Sequence, residues 1–420
     1  MSAAADEAVR APWQELLPPG RRFVALPSRH RPVVVAEFER PVLSYVRTSL
    51  LAAPPRSGLP SWVYAAARQA LRIRPLWRLL PRPASRGPGG AEPAGALAGF
   101  VADGDKRLVV LQHSRDPDAR CVLLLFTPNE PSPSHAVKIA GDVRAAARID
   151  REAQRLLALQ RVHSRHLAGS VPQVLDVLDH GGRPALVTTA QRGVPMLVRY
   201  HRRGHTADPE AVRADLAAAS RWLLLAQSAT LGPAAPLDLA PGTAERLRAR
   251  LTAAPAADRV LDRLGALRAR LGRYAAPTTL VHGDFWPGNL LTDRGEITGV
   301  VDWEHSELAG NPVRDIARFA LAYSIYLDRH TRPGRPVPGH PRLVAGRPGA
   351  GAGYGIDGTG WYPDLVRGFL TAGLTRLGLP AACGRDAVLA EIAALAAEAT
   401  DPDFARDQLT LFMTLSETTP

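Results

Sequence analysis

Lysine is almost missing from this chain: of 52 basic residues only Lys106 and Lys138 are lysine, and the rest are arginine. Cysteine is as scarce, and Cys121 and Cys383 have no ligand-type spacing, which excludes a disulfide scaffold or a thiolate zinc site as the organising device. No apolar run approaches the roughly 18 residues that a spanning helix needs. The opening MSAAADEAVRAPWQELLPPG lacks the basic start and apolar core of a secretory signal. A cytoplasmic location is the resulting expectation.

What is present describes a folded protein. A length of 420 residues is long for one core and predicts two or three packed units. Hydrophobic content of 46% with 22% charged residues is that of a globular chain. The net charge of +12 would suit an anionic partner. However, the arginine skew comes with heavy use of Ala, Gly and Pro, as in a GC-biased coding sequence, and no aromatic–basic ladder accompanies it. No nucleic-acid partner is therefore expected. In such a chain a retained lysine is informative. Lys106, in the polar turn ADGDKRL, is expected to face solvent; Lys138, in the apolar alternation SHAVKIAGD, is the more telling one.

Residues 1–95 hold short apolar pieces, RPVVVAEF and PVLSYVRTSLLAAP, then the basic, Trp-bearing stretch SWVYAAARQALRIRPLWRLLPR at 61–82. That stretch reads as a packed helix with arginines outward; a peripheral membrane contact through 61–82 is the second reading. PRPASRGPGGAEPAG at 81–95 reads as a linker, so 1–95 is set apart as an extension. Strand patterns then dominate in RLVVLQHS, CVLLLFTP and HAVKIA. A helix follows at 142–164 with Ile149, Ala153, Leu156 and Leu157 on one face, and then two more strands, PQVLDVLDH and PALVTTA. This predicts a small antiparallel α+β unit over 96–191. Helical patterns fill 192–420, opening on Asp208 as a cap, with a glycine-rich interruption at 330–362. Within that interruption GYGIDG (353–358) formally matches the dinucleotide fingerprint, but no strand precedes it, so a flexible loop is expected.

Between two apolar runs, LVHGDFWPGNLL places His282, Asp284 and Asn289 in the order H-x-D-x-x-x-x-N, and Asp302 ends the strand ITGVVDW. Upstream, Lys138 lies on a strand and Glu152 on the helix after it. Phosphoryl transfer asks for these residue types: an Asp and an Asn oxygen for Mg²⁺, and a second Asp beside the acceptor hydroxyl. It also asks for a lysine on the phosphates, steered by a glutamate. A compact ammonium suits that last task better than a guanidinium fork.

HGDFWPGNLL followed by VVDWEHSELAGNPVRDIARFA resembles the aminoglycoside phosphotransferase and choline kinase family, and VKIA, REAQRLLAL and TTAQRGVPM are similar to its smaller lobe and hinge. The resemblance covers roughly 97–420. It implies a two-lobe, protein-kinase-like α+β fold with a small antiparallel-sheet N-lobe and a mostly helical C-lobe, plus the extra N-terminal region. It implies Asp284 as catalytic base, with His282 bracing the catalytic loop. Asn289 and Asp302 would be the magnesium ligands, and Lys138 with Glu152 the phosphate anchor. Thr189 and Gln191 would sit at the adenine-facing hinge, and Asp315 would hold the loop from the next helix. ATP (or GTP) and Mg²⁺ are the implied cofactors, and a small-molecule alcohol, such as a sugar or aminoglycoside-like compound, the implied acceptor.

Three features depart from the family pattern. QHSRDPDAR stands where a nucleotide-covering loop would offer Gly or Ser, Asn311 stands where Asp is frequent, and 1–95 has no counterpart. These keep a second class open, a catalytically weak kinase-like binding or assembly module. Asp and Asn as mere turn residues, or a zinc cluster of Glu304 and His305 with His282, are the blander readings; no HExxH-type spacing supports the last.

Overall fold

Seven strands form one antiparallel sheet: β1 (Phe23–Leu26), β2 (Val34–Glu37), β3 (Arg107–Leu111), β4 (Arg120–Phe126), β5 (His135–Ala140), β6 (Val174–Asp179) and β7 (Pro184–Thr189). Their order is β1-β2-β3-β4-β5-β7-β6. The computed structural model describes residues 17–18, 20–26, 32–51, 61–82, 95–111, 120–162, 167, 169–239, 241–251 and 254–417. Two units emerge, one drawn from residues up to 161 together with 169–194, the other mainly from 195 onward. Residues 112–119 of the QHSRDPDAR loop and most of the 81–95 linker lie outside the described residues.

β1 and β2 come from the segment that the sequence sets apart. Their residues, FVAL and VVAE, are buried throughout, which is why they read as apolar runs without alternation. β2 pairs with β3 through Val34↔Leu111 and Val35↔Val110, so these strands extend the sheet. Glu37, at the end of β2, is buried and accepts the Leu108 backbone N–H at 3.1 Å and Arg21 Nη1 at 3.3 Å. Burial pushes its carboxyl above the usual range, with Arg21 and Arg107 pulling the other way.

One face of the sheet packs Val35, Leu108, Val110, Leu123, Val137 and Val187 against Leu97 and Val101 of helix α3 (Ala96–Ala102). The opposite face packs Val34, Ala36, Val109 and Phe126 against Val42 and Leu43 of α1 (Arg40–Tyr45). Segment 61–82 is helix α2 (Ser61–Ala70) followed by a 3-10 stretch, Arg74–Leu79. Ala67, Ala70, Leu71, Trp77 and Leu80 join this second cluster, so the segment's apolar side packs within the unit and the membrane reading gains no support.

Lys106 does not face solvent as expected. Its Nζ donates to the carbonyls of Phe100 (3.0 Å) and Asp103 (2.6 Å), satisfying acceptors at the C-terminal end of α3. On α4 (Val143–Arg161) the buried positions are Ala145, Ile149, Glu152, Ala153, Leu156 and Leu159. Leu157 is 40% exposed, because one residue past Leu156 is a turn of about 100° away from the buried stripe.

The second unit begins at Pro195, within the two-residue strand β8 (Val194–Pro195), and is mainly helical. It runs through α5 (Met196–Tyr200), α6 (Pro209–Ser228), α7 (Thr243–Arg250), α8 (Ala254–Leu271), α9 (Val313–Ile325), α10 (Ala350–Asp357), α11 (Trp361–Arg376), α12 (Cys383–Glu398) and α13 (Pro402–Glu417). Asp208 caps α6, accepting from the Glu210 N–H. Short strands interrupt the helices. β9 (Ala234–Pro236) pairs with β10 (Ala275–Pro277), β11 (Thr279–Val281) with β14 (Glu307–Gly310), and β12 (Leu290–Asp293) with β13 (Glu296–Val300).

The 330–362 stretch is ordered rather than a loop: a hairpin of β15 (Pro336–Val337) and β16 (His340–Val344), then α10. Two of the fingerprint glycines, Gly353 and Gly355, lie on that helix and Gly358 follows it; Gly355, with Gly351 one turn earlier, lets the helix pack closely on α9. A Cβ on Gly351 would stand 2.4 Å from the Ser324 carbonyl oxygen of α9, and one on Gly355 2.4 Å from Ser324 Oγ. Gly351→Ala would normally gain about 1 kcal/mol of helix propensity. Against a backbone oxygen it should instead lose about 1–3 kcal/mol. Urea denaturation tests this, and a midpoint above wild type would refute the close packing.

Candidate active site

The loop between β11 and β12 is held from beneath by one carboxylate. Asp315, in the first turn of α9 and 2% exposed, accepts the His282 N–H on Oδ2 at 2.6 Å and the Gly283 N–H on Oδ1 at 2.9 Å. Gly283 sits at φ +80°, and a Cβ there would lie 2.2 Å from the His305 carbonyl oxygen, so only glycine fits. His282 is buried and packs edge-on against Trp303 at 4.7 Å. Its Nε2 bonds the Val301 carbonyl at 3.0 Å and therefore carries the proton, which leaves Nδ1 to accept the Asp284 N–H at 3.3 Å. Burial lowers its pKa, and with both nitrogens engaged inside the loop the ring braces the turn and has no free lone pair.

Asp284 and Asn289 face each other across this turn. Asn289 Nδ2 donates to the Asp284 carbonyl at 3.0 Å and to its Oδ2 at 2.9 Å. Asn289 is 5% exposed, and its backbone is fixed at both ends, donating to Trp286 O and accepting from Val301 N–H. Because the amide nitrogen is turned to Asp284, the amide oxygen is the atom offered elsewhere. Asp302 follows β13 with φ +66°, a left-handed conformation rare for a residue with a side chain. Asp and Asn tolerate this region better than other residues with a side chain. Asp302 and Asp284 both act electrostatically on His282. An Asn oxygen and an Asp carboxylate are the hard donors that Mg²⁺ accepts, so this set fits that ion.

In the sheet unit, Lys138 on β5 lies opposite Val122 and Leu186 in register. Its Nζ meets both oxygens of Glu152, at 2.6 and 2.8 Å, with Glu152 only 2% exposed; Arg120 Nη1 stands 3.5 Å from the same carboxylate. At the end of β7, Thr189 Oγ1 accepts the Gln173 N–H at 3.0 Å, and Thr189 N–H bonds Gln173 O. Gln191 Nε2 reaches Thr189 Oγ1 at 3.5 Å, while its Oε1 is buried without a partner among the described residues.

The aromatic neighbours divide. Trp303 is fully buried and donates to Val300 O, a core residue, whereas Trp286 is half-buried with its indole over Gly288. Asn311, the residue at the Asp-to-Asn departure, accepts the Val313 N–H at the start of α9. No group of three or more His, Cys, Asp or Glu able to hold a metal occurs among the described residues, so the Glu304–His305–His282 zinc reading finds no support.

Sequence reasoning missed a buried charged chain behind Asp284. Arg318 Nη2 meets Asp284 Oδ1 at 2.5 Å and its Nη1 meets Glu391 Oε1 at 3.3 Å. Arg314 lies 3.7 Å from Glu391 Oε2 and also reaches Glu307 and Glu398. The signal was there: Glu391 is a lone carboxylate within the otherwise apolar LAEIAALA, and Arg314 and Arg318 are one helical turn apart around Asp315.

A sheet unit carrying a Lys–Glu pair and a helical unit carrying the H-x-D-x-x-x-x-N loop are the two lobes of a kinase-like fold. The model of the phosphotransferase enzyme family (APH) matches residues 127–346, just over half of the sequence. The chain belongs to that family. No match is found among curated proteins. Among solved structures, the chain is similar to a thermostable mutant of aminoglycoside phosphotransferase APH(4)-Ia in its apo form, at 15% identity and a TM-score of 0.46, over 73% of this chain and 93% of that one. The same enzyme in ternary complex with AMP-PNP and hygromycin B matches at 14% identity and TM-score 0.46, over 74% and 92%. The streptomycin–ATP–APH(2")-IIa complex matches at 14% identity and TM-score 0.41, over 73% and 90%. No described helix is long and apolar enough to cross a membrane.

Burial pushes the Asp315 carboxyl up to about 6, from an ordinary value of 3.8. The folded state thus holds this proton more tightly than the unfolded chain does. The stability so gained is complete below about pH 4 and lost as pH rises through about 6. Asp315→Ala leaves two buried N–H groups unpaired, an expected loss of about 2–4 kcal/mol. Urea midpoints taken from about pH 4 to pH 7 should show the gap to wild type narrowing as pH rises. A widening gap would contradict the assignment.

Proposed function

We propose that the chain is a Mg²⁺-dependent small-molecule kinase, moving the γ-phosphate of ATP (or GTP) to an alcohol hydroxyl. The observation that carries this reading is the Asp284–Asn289 contact. One amide donates to a carboxylate through nitrogen and keeps its oxygen for a cation, tying a base and a metal ligand into one turn. Asp284 is the base: its carboxylate orients the acceptor hydroxyl and takes its proton as the oxygen attacks phosphorus. Asn289 Oδ1 and the Asp302 carboxylate would hold Mg²⁺, which when bound neutralises charge on the phosphate oxygens. Lys138, steered by Glu152, places a positive charge for the nucleotide's phosphates. Thr189, Gln191 and the backbone around them are the hinge that meets the base. Gln191 Oε1, buried and without a partner among the described residues, is an acceptor such a contact could use. His282 and Asp315 hold the loop.

The acceptor belongs to the neutral or anionic hydroxylated molecules, sugars first, because the 330–362 stretch is rich in arginine, with Arg332, Arg335, Arg342 and Arg347. The APH(4)-Ia and APH(2")-IIa complexes hold hygromycin B and streptomycin, and such compounds enter the panel on that ground. The test is ADP release from Mg·ATP across a panel of small alcohols, together with nucleotide-dependent thermal stabilisation. Asp284→Asn should cut turnover by roughly 100-fold or more while leaving the thermal shift with Mg·ATP within about a degree of wild type. Turnover equal to wild type would remove Asp284 as the base. No shift with ATP, ADP or GTP would favour instead a kinase-like module without catalysis.

A further inference from the structure

We infer that Arg318 is a positioning residue for Asp284, clamped from behind by Glu391, an inference that rests on the reading of Asp284 as the base. The two oxygens of the Asp284 carboxylate are held from opposite directions. Oδ2 takes Asn289 Nδ2 at 2.9 Å, and Oδ1 takes Arg318 Nη2 at 2.5 Å. A carboxylate held at one oxygen still rotates about its Cβ–Cγ bond; held at both, its plane is fixed, and so are the lone pairs that face an acceptor hydroxyl. Arg318 cannot perform this alone. Its side chain is 16% exposed, its Nε has no hydrogen-bond partner among the described residues, and its Nη1 rests on Glu391 at 3.3 Å. Glu391 is 1% exposed and is shared with Arg314, which Glu307 and Glu398 hold in turn. A buried guanidinium between two carboxylates has a fixed fork direction, which a lysine ammonium would lack.

The chain of contacts also separates structure from chemistry. α9 carries Arg318 one helical turn beyond Asp315, so a single helix holds the loop backbone through Asp315 and the Asp284 side chain through Arg318. The first contact sets where the loop lies, the second how the carboxylate is turned. Misplacing a reacting group by a fraction of an ångström to 1 Å can cost on the order of 100-fold in rate without changing ground-state binding.

The experiment compares Arg318→Gln, Arg318→Lys, Glu391→Gln, Asp284→Asn and the double variant Asp284→Asn/Arg318→Gln in the full chain. ADP release from Mg·ATP is followed first with water as the only acceptor, then with the best alcohol of the panel. Arg318→Gln should lower kcat by roughly 100-fold with the KM for ATP within about twofold. Arg318→Lys should recover part of the loss, and Glu391→Gln, which keeps the volume but removes the clamp, should lower kcat by about tenfold. The decisive arm is the double variant: an Arg318 that acts through Asp284 makes it no slower than Asp284→Asn alone. Equal losses from Arg318→Gln in both backgrounds, or a rise in KM for ATP with kcat unchanged, would overturn the inference while leaving Asp284 as base. Wild-type turnover in Asp284→Asn would instead remove the underlying reading. Should Arg318→Gln fail to fold, Arg318→Lys and Glu391→Gln carry the same comparison.

Discussion

Two short hydrogen bonds from consecutive backbone N–H groups to the buried Asp315 carboxylate are the constraint on which the His282–Asn289 loop depends. They reverse the usual relation of loop to scaffold. A side chain from the following helix reaches up and fixes the loop's first two peptides, and contacts within the turn complete it. With His282 and Gly283 held, the imidazole is placed to receive the Asp284 N–H and to reach Val301, and Gly283 takes the left-handed turn that the His305 carbonyl leaves room for. From there Asn289 closes the turn by donating back to Asp284. Beneath it lies a buried aromatic floor, with Phe285 stacked on Trp222 at 5.1 Å and Trp303 donating to Val300. Each contact is local, but all inherit their position from Asp315.

The loop was legible in the sequence because its chemistry is compressed into a few residues. His282, Asp284 and Asn289 fall within eight positions between two apolar runs, and such runs become short strands that fix loop ends. The five strands from RLVVL to PALVTT were legible because their apolar runs are longer or are bounded by polar turn residues. Other features were not. β1 and β2 carry no alternation, because both of their faces are covered, and a four-residue apolar run has no period to read. The glycines of GYGIDG mimic a nucleotide fingerprint in spacing, yet Gly355 is there for the close approach of α10 to Ser324; sequence cannot distinguish a glycine that admits a phosphate from one that admits a neighbouring helix. The Arg318–Glu391 chain was hidden by distance, since its partners are separated by more than 70 positions and meet only when α9 and α12 pack.

Scarcity of lysine turned out to have two meanings. Lys138 is kept where a point charge must meet both oxygens of a buried glutamate with Arg120 already beside it, and a second guanidinium would crowd that carboxylate. Lys106 is kept for a different reason. Its ammonium fits over the end of α3, donating to two carbonyls while its charge lies 4.6 Å from the Phe100 ring. At both sites one ammonium meets two oxygen acceptors. The sequence identified the residue type that mattered, but the chemistry differed between the two positions.

Two left-handed residues near the loop show how conformation and chemistry are traded. At Gly283 the positive φ is imposed by crowding, and glycine meets it at no steric cost. At Asp302 the same region is occupied by a residue for which it costs on the order of 1 kcal/mol, where glycine would be cheaper. Asparagine would bear that conformation as readily as aspartate, so what aspartate adds at this position is negative charge. A carboxylate held at a conformational cost beside a turn that already presents Asp284 and the Asn289 oxygen concentrates negative charge and oxygen lone pairs on a single rigid element. Such an accumulation is unfavourable on its own, since like charges repel, and it is offset on one flank by Arg318. On the proposed reading, the left-handed backbone at Asp302 is a conformational cost accepted so that a negatively charged oxygen donor, rather than a glycine, stands where a divalent cation would be held.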